Sequence, residues 1–251
     1  MKGKGDRSMP NWLRLMLAEA IGTMFLVFPG VGAAMRPHAT LLDIALANGI
    51  GLGIGISVTL AVSGGALNPA VTVGLWALGK LKVGTAALYI VAELLGAVVA
   101  ALLLHLLFPG MGVVAGTPAP GKGVGPLDAA AIECILTFFL MTAVLMTAVD
   151  ASAPRIAGLG VGLVVVFDVL AAGPLTGAAM NPARAFGPEL VSGTWAAAWA
   201  YWVGPIAGAL IASLVYRYFF QTPPATALQP PAPPAGGARA GRRGGRAGGK
   251  R

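Results

Sequence analysis

Gly65-Ala66-Leu67-Asn68-Pro69-Ala70 and Ala178-Ala179-Met180-Asn181-Pro182-Ala183 are two versions of one cassette, each set in apolar sequence that reads as membrane span. Proline suits the first turn of a helix, where its missing N–H has no intrahelical partner to lose, and the asparagine before it suits the N-cap. Two helices that begin with Asn-Pro inside a membrane aim two positive dipole ends, and two side-chain amides, at a shared interior point. That arrangement handles a small polar solute; packing alone gives no reason for it.

Working outward, hydrophobic residues make up 57% of the 251 positions and charged residues 10%, too little charge to cover a soluble surface of this size. The 37 glycines suit close helix contact in lipid. Six stretches are long enough to span a bilayer, at roughly 13–35, 41–63, 85–108, 127–149, 156–172 and 195–220. Two leftover apolar stretches, 68–78 and 181–191, are too short to cross at about 1.5 Å per residue. Both follow a glycine-containing approach and begin at Asn-Pro, so they read as re-entrant half-helices lining a cavity. The N-terminus imitates a signal peptide, with basic residues, an apolar run and Ala33-Ala34. Glu19 interrupts that run, and the run exceeds an ordinary signal core, so an uncleaved first span is expected.

The chain repeats itself. Glu19-Ala-Ile-Gly-Thr23 in the first span corresponds to Glu133-Cys-Ile-Leu-Thr137 in the fourth; Glu19 precedes Asn68 by 49 positions and Glu133 precedes Asn181 by 48. Three spans per repeat is an odd number, which inverts the second copy. The expected organisation is an N-terminal segment 1–12, a transmembrane domain 13–220 with repeats at 13–108 and 127–220, and a tail 221–251.

The net charge of +8 does not point to nucleic acid, because of where it lies. Lys2, Lys4, Arg7 and Arg14 sit at the N-terminus, and Arg239, Arg242, Arg243, Arg246, Lys250 and Arg251 in the tail. Lys80, Lys82, Arg155 and Arg217 fall on the same side, whereas the connection from 108 to 127 carries only Lys122. Basic flanks mark a cytoplasmic face, so both termini are expected there, in a cell-membrane protein. Beyond Thr222 the Pro/Ala-rich and then Gly/Arg-rich tail is expected to be disordered and drawn to anionic lipid; it lacks the interleaved aromatics of a nucleic-acid-binding segment.

Asn68 and Asn181 are the leading site residues, with Pro69, Ala70, Pro182 and Ala183 shaping their helix starts. Arg184 is the basic residue of the second cassette; a guanidinium at that depth has to be held by carbonyls and to face a wet pore. Cys134 is the single cysteine, so no intrachain disulfide forms. His38 and His105 have no metal-ligand company, and neither Gly-x-Ser-Gly nor His-Glu-x-x-His occurs, so no metal, cofactor or catalysis is expected.

At the paired cassettes with their trailing arginine, and over roughly 13–220, the chain resembles the aquaporin or major intrinsic protein family of channels. The resemblance implies an all-α membrane protein: an aquaporin-like right-handed bundle of six transmembrane helices plus two re-entrant half-helices, assembled as a homotetramer. It implies a passive channel for water and small uncharged solutes such as glycerol, urea, ammonia or metalloid acids, closed to protons and ions. Arg184 matches the family's selectivity-filter arginine. Gap-free alignment puts Asn48 where the family usually presents Phe, Val169 where strict water channels have His, and Ala178 at the third filter position. Losing both rings widens the expected constriction. Tyr201-Trp202, and Ala185 where glycerol facilitators carry Asp, match the water-channel subgroup, so water alone is the alternative reading.

Glu19 and Glu133 are implied to hold the loops before the half-helices, with a proton relay as the alternative. Glu93 stands where the family usually has Gln, and is either protonated or facing a wet vestibule. Asp168, beside Val169, has three readings: a partner for Arg184, a lure for cations, or a cap on an unwinding span. An ion-coupled transporter is the rival class, and it would need Glu19 or Glu133 as its coupling acid.

Overall fold

The protein is described from a computed structural model over residues 9–154 and 156–221. Eight α-helices occur in these residues: α1 (Asn11–Met35), α2 (Leu41–Ser63), α3 (Pro69–Ala77), α4 (Val83–Leu107), α5 (Pro126–Val144), α6 (Ala157–Thr176), α7 (Pro182–Ser192) and α8 (Ala200–Val215). α5 and α8 each run on through a π-turn, at Leu145–Val149 and Tyr216–Phe220. Six helices are long and apolar enough to cross a membrane, which bears out the predicted spans and the all-α class. The remaining two, α3 and α7, have 9 and 11 residues and start at Pro69 and Pro182, where the cassettes predicted them. The basic segment 1–8, Arg155 and the tail 222–251 lie outside the described residues, and with them the expectation of a disordered tail.

Burial runs opposite to that of a soluble protein. Ile21, Ile50, Ile54, Leu163 and Phe167 are exposed, while Glu19, Asn68, Glu93, Glu133, Asn181 and Arg184 are buried. Lipid gives helices no hydrophobic reason to associate, so close van der Waals approach has to hold them. Glycine provides it on both sides of α2. Gly51 and Gly55 meet the carbonyls of Phe25 and Gly22 in α1, while Gly49 and Gly53 meet those of Gly162 and Gly158 in α6. Gly204 and Gly208 seat α8 on Ala130 and Cys134 of α5 in the same way.

Gly96 of α4 lies against the backbone of Ala20 in α1, and a β-carbon there would collide with that carbonyl. No rotamer relieves a clash with backbone, so Gly96→Ala is expected to cost about 1–3 kcal/mol and to lower the thermal midpoint in detergent. An unchanged midpoint would show that α1 and α4 part freely.

The two repeats interlock through their short helices: α3 packs on α8, and α7 on α4. α2 and α6 both stop at a left-handed glycine, Gly64 (φ 91°) and Gly177 (φ 82°), which turns the chain back into the bundle. α6 therefore continues to Thr176, past the expected end at 172, because Pro174 is tolerated inside the helix and Gly177 is the first residue to break it. α8 begins at Ala200, past the expected start at 195, since residues 196–199 form turns ahead of it.

Candidate functional site

Asn68 and Asn181 cap α3 and α7. Each Oδ1 accepts from the backbone two residues on, Ala70 N–H and Ala183 N–H at 2.9 Å, and Asn181 also takes Arg184 N–H at 3.2 Å. Each amide then reaches into the other repeat. Asn68 Nδ2 donates to the Met180 carbonyl at 2.9 Å, and Asn181 Nδ2 donates to the Leu67 carbonyl at 2.8 Å. The two accepting residues are the ones just before each asparagine, and both are forced left-handed, at φ 51° and 53°. For bulky side chains that conformation is strained and persists only where the surroundings impose it. Leu67 and Met180 are buried, which locks them in place.

The restraint on each loop comes from a buried glutamate. Glu19 of α1 accepts from Ala66 N–H at 3.3 Å and Leu67 N–H at 2.7 Å; Glu133 of α5 accepts from Ala179 N–H at 2.9 Å and Met180 N–H at 2.6 Å. The Thr176 hydroxyl adds a third bond to Glu133 at 2.7 Å. Two tyrosines complete the symmetry: Tyr89 donates to the Ser63 carbonyl and Tyr201 to the Thr176 carbonyl, across 26 and 25 positions. Sequence reasoning missed Tyr89 and two buried threonines that donate to glutamates, Thr72 and Thr176; the matching tyrosine spacing in the two repeats was the signal available for the first.

Arg184 is buried, and its Nη1 donates to the Gly116 carbonyl at 2.9 Å, at the end of a 3₁₀ turn over Val113–Gly116. Val169 and Ala178 fall in one apolar cluster with Ala45, a turn before Asn48. Asn48 is buried, gives one amide hydrogen to the Ile44 carbonyl at 2.8 Å and packs its head on Gly30. Tyr201 and Ala185 belong instead to a separate cluster with Ala179.

Two of the open readings are corrected by the geometry. Asp168 caps nothing, because α6 runs on through it; its carboxyl is buried, has no hydrogen-bond partner among the described residues, and lies in the field of Glu133. Glu93 faces no vestibule: it is fully buried and accepts from the Thr72 hydroxyl at 2.7 Å. A further acid, Glu189 of α7, is buried and acts electrostatically on Arg184. On the side where α3 emerges, a cavity of about 250 Å³ between Ile56, Leu60, Gly65, Tyr89, Val149 and Val161 leads toward the first cassette.

Known proteins resemble this chain over most of its length. The model of the major intrinsic protein family matches residues 7–216. The chain is 45% identical over 234 residues to aquaporin TIP4-4 of Zea mays, covering 86% of this chain and 90% of that one. It is 39% identical over 229 residues to probable aquaporin TIP2-2 of Arabidopsis thaliana, covering 86% and 91%. Among solved structures, the aquaglyceroporin from Plasmodium falciparum superposes with a TM-score of 0.76 at 27% identity, over 83% of this chain and 96% of that chain. A match of this extent, which spans both half-helices of this chain, makes it a member of the major intrinsic protein family.

Proposed function

We propose that the chain is a passive channel through which water and small uncharged solutes pass between the two asparagines. The reciprocal pair carries this reading. Each amide has two N–H groups, and only one is spent on the opposite loop. The second is a donor that stands in for hydrogen bonds a solute leaves behind in bulk water. The rival of ion coupling is disfavoured because Glu19 and Glu133 are each engaged by two backbone N–H groups, which removes them as free coupling acids.

The selectivity filter in this reading is Asn48, Val169, Ala178 and Arg184. Val169 forms an apolar wall, Ala178 leaves space, and Asn48 with Arg184 supplies hydrogen bonds, which suits glycerol, urea, ammonia or an undissociated metalloid acid beside water. Tyr201 and Ala185, the markers that favour water alone, pack behind the second loop, so steric exclusion is left to the filter side chains. Stopped-flow light scattering on reconstituted liposomes tests this. The parent should pass water and at least one of glycerol and urea, and the double variant Asn48→Phe, Val169→His should lose solute uptake while keeping water flow. A parent that passes water and excludes both solutes overturns the filter argument and leaves the water-selective reading.

The same proposal has the basic side, with Lys80, Lys82 and Arg217, facing the cytoplasm of a cell membrane, as basic flanks do. It has the exposed apolar face of Ile21, Ile50 and Ile54 covered by lipid or by neighbouring copies in a homotetramer.

A further inference from the structure

Glu93 lies in the middle of α4, and its two oxygens have unequal surroundings. Oε1 accepts from the Thr72 hydroxyl of α3 at 2.7 Å, whereas Oε2 is buried and no described donor reaches it. What faces it is another acid. The carboxyls of Glu93 and of Glu19 in α1 lie near enough to act on each other electrostatically.

Two carboxylates cannot hydrogen-bond to each other, because an ionised carboxylate only accepts; a bond between them needs a proton on one. Leaving both charged at this range, away from water, is the like-charge arrangement that buried carboxyl pairs avoid. The surroundings say which partner holds the proton. Glu19 accepts two backbone N–H groups, at 3.3 and 2.7 Å, the pattern of a carboxylate; the Asn68 backbone also acts on Glu93, yet the buried oxygen that no described donor reaches is Glu93 Oε2. The nearby ionisable group on α4 itself is Tyr89, whose hydroxyl is committed to the Ser63 carbonyl. α7 also packs on α4, but its Arg184 and Glu189 act on each other.

We infer that Glu93 is a buried proton-binding site: a neutral carboxylic acid whose Oε2–H donates to the Glu19 carboxylate while its Oε1 accepts from Thr72. The proton thereby completes a run of bonds from α3 through α4 to α1 and on to the backbone of Ala66 and Leu67, behind the first half-helix. It supplies the donor that an amide side chain would otherwise provide at this position. The inference goes beyond conduction and does not depend on which solutes pass.

Infrared spectroscopy of the full chain in liposomes at neutral pH, with and without deuterium exchange, tests it on two variants. Glu93→Gln keeps a donor toward Glu19, and the difference spectrum against the parent should lose one protonated-carboxyl carbonyl band. Thr72→Val keeps the carboxyl but removes the donor to its carbonyl oxygen, and the same band should move to higher frequency. Loss of carboxylate bands in Glu93→Gln, or an unmoved carbonyl band in Thr72→Val, shows that Glu93 is ionised and overturns the inference. The second variant decides the matter alone if the first is not recovered folded.

Discussion

Glu133→Ala is expected to abolish recovery of the folded channel. The substitution strands the Thr176 hydroxyl and the N–H groups of Ala179 and Met180, which Glu133 now accepts at 2.7, 2.9 and 2.6 Å. Each buried donor left without a partner costs about 1–3 kcal/mol, and at this depth no water enters to replace the lost acceptor. Three of them reach roughly the lower end of the 5–15 kcal/mol that holds an ordinary domain together. The strained Met180, at φ 53°, loses its restraint as well. Glu133→Gln retains one acceptor oxygen but sets an amide N–H2 against backbone donors, so it should fall between the parent and Glu133→Ala. Size-exclusion profiles and thermal midpoints in detergent give the ranking. A Glu133→Ala protein that melts with the parent would remove Glu133 from any supporting role.

Arg184→Val has its large effect on selectivity rather than on flux. A unit charge about 4 Å from the solute path, at an effective dielectric near 20, opposes a cation by roughly 4 kcal/mol. Glu133 and Glu189 both act on the guanidinium and offset part of that barrier. Removing the charge should therefore raise proton or ammonium permeability by about ten- to a hundredfold, a loss of roughly 1.4–2.7 kcal/mol. Water permeability should stay within a few-fold, because the two asparagines and their helix starts remain. Proton-sensitive dye in liposomes under a pH gradient, alongside stopped-flow water measurements, separates the two effects. Arg184 is also tied to the Gly116 carbonyl, so the turn over Val113–Gly116 loses one anchor, which the water trace would report. A folded, conducting Arg184→Val channel as proton-tight as the parent would take Arg184 out of the filter.

These expectations rest on two kinds of information. Sequence alone determined the six spans, the two half-helices and the inversion, because each is written in a local signal. Apolar runs of bilayer length, Asn-Pro at a helix start and an odd number of spans per repeat need no knowledge of what touches what. The equivalence of Glu19 and Glu133 was legible for the same reason, as a spacing shared by both copies. Only the tertiary structure decided the partners. Asn68 bonds a carbonyl 112 positions away and Arg184 one 68 positions away, and both acceptors are backbone atoms that carry no residue-type signature. A cap was one of three readings open for Asp168, and it falls because the helix runs on to Thr176 and leaves that acid buried in the field of Glu133. Glu93 was ambiguous in one dimension and becomes a partner of Thr72 once α3 and α4 are packed together. Local pattern specifies which segments enter the membrane; the direction of a buried side chain depends on the helix beside it, and that neighbour is set by glycine contacts distant in the chain.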